Sequence, residues 1–103
     1  MIINGEYWRV RLVPPYHPYL TQGRETPAWG CCDDITKTIC VSNALPIDEI
    51  KQVLCHEIVH AFMYSYNVDL TSMEEEMVAE LISIYGHNII KETNITYDNF
   101  GFI

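Results

Sequence analysis

Basic residues are scarce in this sequence of 103 residues. Six Lys and Arg stand against fourteen Asp and Glu, which gives a formal net charge of −8. Because nucleic acids and anionic membranes are bound through clustered Lys and Arg, this balance argues against either as the main partner. Long apolar runs are also missing, which argues against a transmembrane helix, and the first residues do not resemble a signal peptide. We therefore expect a cytoplasmic protein.

No Cys-x-x-Cys pair occurs among the four cysteines, Cys31, Cys32, Cys40 and Cys55. A zinc site built from cysteines alone is therefore weakly supported, and disulfides are not expected in a reducing cytoplasm. Free cysteines usually pack as small apolar side chains, and we predict that role here.

Internal repeats, low-complexity segments and linkers are absent as well, and the length suffices for one domain rather than two. The apolar share of 49% indicates a globular chain. Three stretches of the first half have strand character: residues 6–13, 29–32 and 38–42. We predict a single α+β domain over residues 1–103, in which a small, mostly antiparallel sheet packs on two main helices.

Both helices are predicted in the second half. The first spans about residues 47–66, follows Pro46, and is apolar on most sides. The second spans about residues 72–90 and begins with a capping box of Ser72 and Glu75. The tail, residues 93–103, is expected to be extended. We expect the apolar residues of the second helix to face the core: Met77, Val78, Leu81, Ile84 and Tyr85.

The motif that carries chemistry is His-Glu-x-x-His, formed by His56, Glu57 and His60 in the first helix. The two histidines are one turn apart on one face, so both can bind the same Zn²⁺. Glu57 projects to the neighbouring side, where it reaches a metal-bound water rather than the metal. Zinc lowers the pKa of that water to about 7, and Glu57 takes its proton as general base.

A catalytic zinc of this kind needs a third protein ligand and keeps one position open. At about 100° per residue, Glu76 and Glu80 fall on one polar stripe of the second helix. We predict Glu76 as the third ligand, and Glu80 as the residue that orients a histidine ring through its other N–H. Glu74 and Glu75 lie off this stripe, in the first turn, where acidic residues serve capping and suit the helix dipole.

The motif, together with the following Glu76-Met77-Val78-Ala79-Glu80, resembles gluzincin-type zinc metallopeptidases. The resemblance is greatest to the ImmA/IrrE-like phage and prophage proteins and the minigluzincins, and it covers about residues 6–90. Those families have a small sheet, a helix with the motif, and a second helix with the third ligand. The resemblance therefore implies a minimal zincin-like fold with the ligands and base assigned above. Where the families have Asp or Asn, this sequence has Glu80.

The activity that the resemblance implies is hydrolysis of peptide bonds in a protein or peptide substrate, which in this group is often a regulatory repressor. In the family, the substrate adds as a strand to the sheet edge beside the active-site helix, here residues 29–32 or 38–42. Two alternatives stay open: a zinc-stabilised binding or regulatory module, and a latent peptidase that needs a partner or removal of the aromatic tail, residues 97–103. A fourth protein ligand on zinc would favour the structural alternative.

Overall fold

Strands occupy the first half of the chain and helices the second in the structure, a computed structural model that describes residues 1–102. The first half forms β1 (Ile2–Ile3), β2 (Glu6–Tyr7), β3 (Arg9–Val13), α1 (Pro18–Thr21), β4 (Gly30–Asp33) and β5 (Thr38–Ser42). Two long helices follow, α2 (Ile47–Ser65) and α3 (Ser72–Asn99). The predicted α+β fold with two main helices is confirmed. No helix in this part of the chain is long and apolar enough to cross a membrane.

The main sheet is mixed, not mostly antiparallel, and its strand order is β3-β5-β4. β4 and β5 form the expected antiparallel hairpin, whereas β3 runs parallel to β5. A parallel pair needs a crossover of about a dozen residues or more, and residues 14–37 provide it. The strand expected over residues 6–13 is interrupted at Trp8, which is fully buried and donates from Nε1 to Ser65 Oγ at 3.1 Å. The interruption separates the β1-β2 hairpin from β3.

Both faces of the sheet are covered, so β5 is buried along its whole length. One face packs on α2 through a cluster that contains Ile3, Trp8, Ile39, Val41 and Ala61. The other packs on α1 through a cluster that contains Val13, Leu20, Cys31 and Cys40. All four cysteines are free thiols, and the two in the second cluster are buried as small apolar side chains, as predicted.

The capping box of α3 lies one residue earlier than predicted. Thr71 Oγ1 accepts a hydrogen bond from the Glu74 amide at 3.2 Å, and Glu74 Oε1 accepts one from the Thr71 amide at 3.0 Å. The predicted box of Ser72 and Glu75 is therefore wrong, because Thr71 and Glu74 have the same spacing and occupy the cap. The shift leaves the Glu75 side chain free to contact α2.

The face that α3 turns to the core also differs from the prediction. Ala79 is its one buried residue among residues 1–102. The contacts of Glu75, Glu76 and Glu80 with the histidines of α2 explain the difference. At about 100° per residue, most residues of the predicted inward face lie about 80–180° round the helix from Glu76, on the side away from Glu75, and so face outward. Four of the five apolar residues expected to face inward are exposed: Met77, Leu81, Ile84 and Tyr85.

α3 continues to Asn99, so the predicted end near Ile90 and the predicted extended tail are wrong over the described residues. The helix has 28 residues against 19 in α2, and residues 87–99 are all exposed. At 1.5 Å per residue, Asn99 lies about 35 Å along the axis from Glu76. Residues 100–102, which follow Asn99, therefore lie far from Glu76.

We expect residues 89–99 to exchange their amide hydrogens much faster than the middle of α2. The segment is rich in β-branched residues and Asn, which are weak helix formers, and a helix of this length without tertiary contacts is marginal in water. Hydrogen exchange followed by mass spectrometry measures the difference. Protection of residues 89–99 equal to that of α2 in dilute protein would contradict this expectation.

Candidate metal centre

Two histidines of α2 converge on one carboxylate of α3. His56 Nε2 lies 3.0 Å from Glu76 Oε2, and His60 Nε2 lies 2.9 Å from Glu76 Oε1. One ligand atom from each of these three residues lies within 4.8 Å of the other two. The structure thus brings together the three side chains that the sequence nominates as metal ligands.

The other nitrogen of each imidazole contacts a second carboxylate. His56 Nδ1 lies 2.8 Å from Glu80 Oε1, and His60 Nδ1 lies 2.6 Å from Glu75 Oε1. A metal-binding histidine commonly donates its second N–H to a carboxylate, which fixes the ring and leaves the opposite nitrogen free to bind. Glu80 thus contacts the second nitrogen of the His56 ring, and Glu75 has the same position on the His60 ring.

Sequence reasoning missed Glu75 because its place in the first helical turn favours capping. No local signal separates the box of Thr71 and Glu74 from that of Ser72 and Glu75, so the contact of Glu75 with His60 follows only from the packing of α3 on α2. The two neighbouring glutamates differ in burial: the Glu75 side chain is 18% exposed and that of Glu76 is 59% exposed. Glu75 is therefore enclosed beside its histidine, while Glu76 faces an open cleft.

Glu57 lies where two cavities meet. It is 9% exposed, and it lines one cavity of about 250 Å³ with Trp29 and another of about 260 Å³ with Arg24 and His60. Burial raises the pKa of the Glu57 carboxyl above its ordinary value, although the nearby histidines lower it. A carboxyl whose pKa lies closer to neutral is suited both to accept a proton and to return it.

β4 is the edge strand that borders Glu57, whereas β5 lies in the middle of the sheet. At Gly30 a Cβ atom would stand 2.7 Å from Val53 Cγ1 and 3.0 Å from Glu57 Cγ. The missing side chain therefore lets β4 approach α2 this closely. Of the two strands that the sequence left open for substrate binding, the one at residues 29–32 has the free edge beside the site.

Cys31 and Cys32 line the same cavity as Glu57 and His60. Burial raises the pKa of both thiols, and the Glu57 charge raises it further. The one group of three or more candidate ligand residues found in residues 1–102 contains no cysteine.

The donor atoms fit zinc. Two imidazole nitrogens and one carboxylate oxygen are a common zinc ligand set, and three protein ligands are typical of a catalytic zinc with one position open for water or substrate. The surroundings fit a cation as well, because the carboxylates of Glu57, Glu75, Glu76 and Glu80 gather around two histidines. A divalent cation would offset the repulsion among these carboxylates.

Comparison with protein family models, with curated proteins and with solved structures finds no match to this chain. The assignment of a function therefore depends on the residues of the site. The most informative feature of the site is the pair of histidines, each of which contacts carboxylates through both ring nitrogens.

Proposed function

We propose that this chain is a zinc-dependent endopeptidase of the gluzincin type, with the zincin-like fold of the ImmA/IrrE-like proteins. The observation that carries the proposal is the convergence of two histidine Nε2 atoms on Glu76, while Glu75 and Glu80 hold the opposite ring nitrogens. Such an arrangement presents three ligand atoms toward one point and fixes the orientation of both rings.

His56, His60 and Glu76 would hold the zinc ion. When bound, zinc supplies a Lewis acid that polarises a peptide carbonyl and lowers the pKa of water. Glu75 and Glu80 act through the histidines: each accepts an N–H from one Nδ1 atom and so keeps the ring aimed at the ligand position.

Glu57 serves as general base and then as general acid. Its carboxylate accepts a proton from the water whose oxygen attacks the peptide carbonyl carbon. It returns that proton to the amide nitrogen as the carbon–nitrogen bond breaks. Its side chain is largely buried but lines both cavities, and its raised pKa suits both proton transfers.

The substrate backbone adds to the free edge of β4 as an extra strand. The close approach of β4 to α2 at Gly30 brings that edge next to the Glu57 side chain. A peptide on the edge then has a cavity on either side of Glu57 for the residues that flank the cleaved bond.

The purely structural alternative is less well supported. A structural zinc normally has four protein ligands, and the candidate group in residues 1–102 has three. Inhibition by residues 97–102 is also disfavoured, because α3 carries Asn99 about 35 Å from Glu76.

The test is cleavage of a mixture of unstructured peptides by protein loaded with one zinc per chain, with products identified by mass spectrometry. We expect cleavage that stops when a chelator removes zinc and returns when zinc is restored. The His56→Ala variant is the matched control and is expected to show neither zinc binding nor cleavage. A protein that holds one zinc and cleaves no peptide in a diverse mixture would contradict the proposal.

A further inference from the structure

One basic side chain lines the cleft of this acidic protein. Arg24 borders the cavity of about 260 Å³ that also contains Glu57 and His60. It forms no ion pair with any carboxylate in residues 1–102. Lys37, by contrast, is paired with Asp34 and Glu6. Among the described residues, Arg24 therefore has no carboxylate in direct contact at the place where a substrate would bind.

The Arg24 side chain is held in position by its own loop. Its Nη2 donates to the Leu20 carbonyl at 3.2 Å and its Nε to the Thr21 carbonyl at 3.3 Å. The Leu20 carbonyl also accepts from the Ala28 amide at 2.9 Å, and Leu20 is fully buried. These bonds use two of the five guanidinium N–H groups and leave three available to a ligand.

Gln22 supplies further donor capacity in the same cavity. Its left-handed backbone, with φ of 46°, turns the chain after α1, and its Nε2 donates to Cys31 Sγ at 3.1 Å. An amide nitrogen has two N–H groups, so one remains. The carboxylates in this cavity, Glu57 and Glu76, belong to the metal centre, where a cation would offset their charge.

We infer that the cavity beside Arg24 binds an acidic side chain, so the preferred substrate carries Asp or Glu on one particular side of the cleaved bond. The inference rests on the proposed function, because it needs a peptide that passes Glu57 along β4. A guanidinium fork matches a carboxylate in geometry and charge, and its hydrogen bonds to it are stronger than those between neutral groups.

The experiment profiles cleavage of a random octapeptide library by the zinc-loaded protein. We expect Asp and Glu to be enriched about three- to tenfold at one position on one side of the cleaved bond, and less at high salt. Arg24→Gln is expected to lose the enrichment. Arg24→Lys is expected to keep part of the enrichment of Asp and Glu. Lys51→Gln removes one exposed charge outside these cavities and is expected to keep all of it.

Binding gives a second readout that does not require cleavage. Fluorescein-labelled octapeptide mixtures are prepared with either Glu or Gln fixed at each position in turn. Their affinity is measured for two zinc-loaded proteins, the Glu57→Gln variant and the double variant that also carries Arg24→Gln. Tighter binding of a Glu mixture that disappears with Arg24→Gln supports the inference. Cleavage without a preference for Asp or Glu, or equal binding of the Glu and Gln mixtures, overturns this inference but not the proposed function. If the protein binds zinc but cleaves no peptide, the proposed function is overturned instead. The affinities of the Glu and Gln mixtures then test whether the cavity beside Arg24 binds an acidic side chain.

Discussion

Glu57→Gln is expected to bind zinc as tightly as the wild type and to lose about 10²- to 10⁴-fold of its peptidase rate. The amide has nearly the same shape as the carboxylate but cannot accept the proton from water. The three proposed ligand residues are unchanged, so we expect the metal to stay. The measurement is kcat on one cleaved peptide, with zinc content determined on the same samples.

The matched control for this variant is Glu92→Gln, the same substitution at an exposed position of α3 far from the centre. It is expected to retain the wild-type rate. Cleavage by Glu57→Gln at the wild-type rate would remove Glu57 from the mechanism. Loss of zinc from Glu57→Gln would instead make it a ligand or a structural support of the site.

The three consecutive glutamates at the start of α3 are expected to respond differently to replacement by alanine. Glu76→Ala removes a ligand and should abolish tight zinc binding. Glu75→Ala leaves the ligands in place but frees the His60 ring, and should weaken zinc binding about 10- to 100-fold. Glu74→Ala removes half of the capping box and should lower the stability of the protein without changing its zinc affinity.

Zinc affinity in this series is measured by competition with a chelating dye, and stability by urea denaturation of the zinc-free proteins. The three positions share side chain, helix and charge, so each variant is a control for the others. A Glu76→Ala protein within a few-fold of the wild-type affinity would move the third ligand elsewhere. Equal affinities of Glu75→Ala and Glu74→Ala would show that the contact between Glu75 and His60 does not orient the ring for zinc.

The motif and its helix could be predicted because both depend on local spacing. His56 and His60 are one turn apart in any α-helix, and Glu76 and Glu80 share a stripe on any helix that contains them. Whether these two stripes face each other is a tertiary question, and the structure answers it with contacts of 2.8 to 3.0 Å. Local periodicity was therefore sufficient to nominate these four residues.

The cap of α3 and the face that it turns inward could not be predicted, because both depend on competition between equivalent local patterns. Thr71 with Glu74 and Ser72 with Glu75 have the same capping spacing, and only the packing of α3 decides between them. The apolar residues of α3 predict an inward face, but contacts of its glutamates with the two histidines turn that face outward. Interactions among acids and imidazoles thus override a hydrophobic pattern that is otherwise a reliable guide.

The direction of β3 relative to β5 and the path of residues 14–37 could not be predicted from the sequence either. The parallel pairing of β3 and β5 follows from a crossover of residues 14–37, in which Pro and Gly mark turns without fixing the path. Arg24 lies in that crossover and reaches the cavity only because two left-handed residues, Gln22 and Gly23, fold the chain back after α1. Close packing of Gly30 on Glu57 depends in turn on where α2 meets the sheet.

X-ray absorption at the zinc edge, recorded on protein loaded with one equivalent of Zn²⁺, tests whether His56, His60 and Glu76 bind the metal. We expect a shell of nitrogen and oxygen atoms at about 2.0–2.1 Å, with the outer-shell scattering of two imidazoles and no sulfur. The same spectrum of Glu76→Ala should show a changed or lost site. A zinc–sulfur distance of about 2.3 Å, a shell with fewer than two imidazoles, or failure to bind zinc would contradict the account.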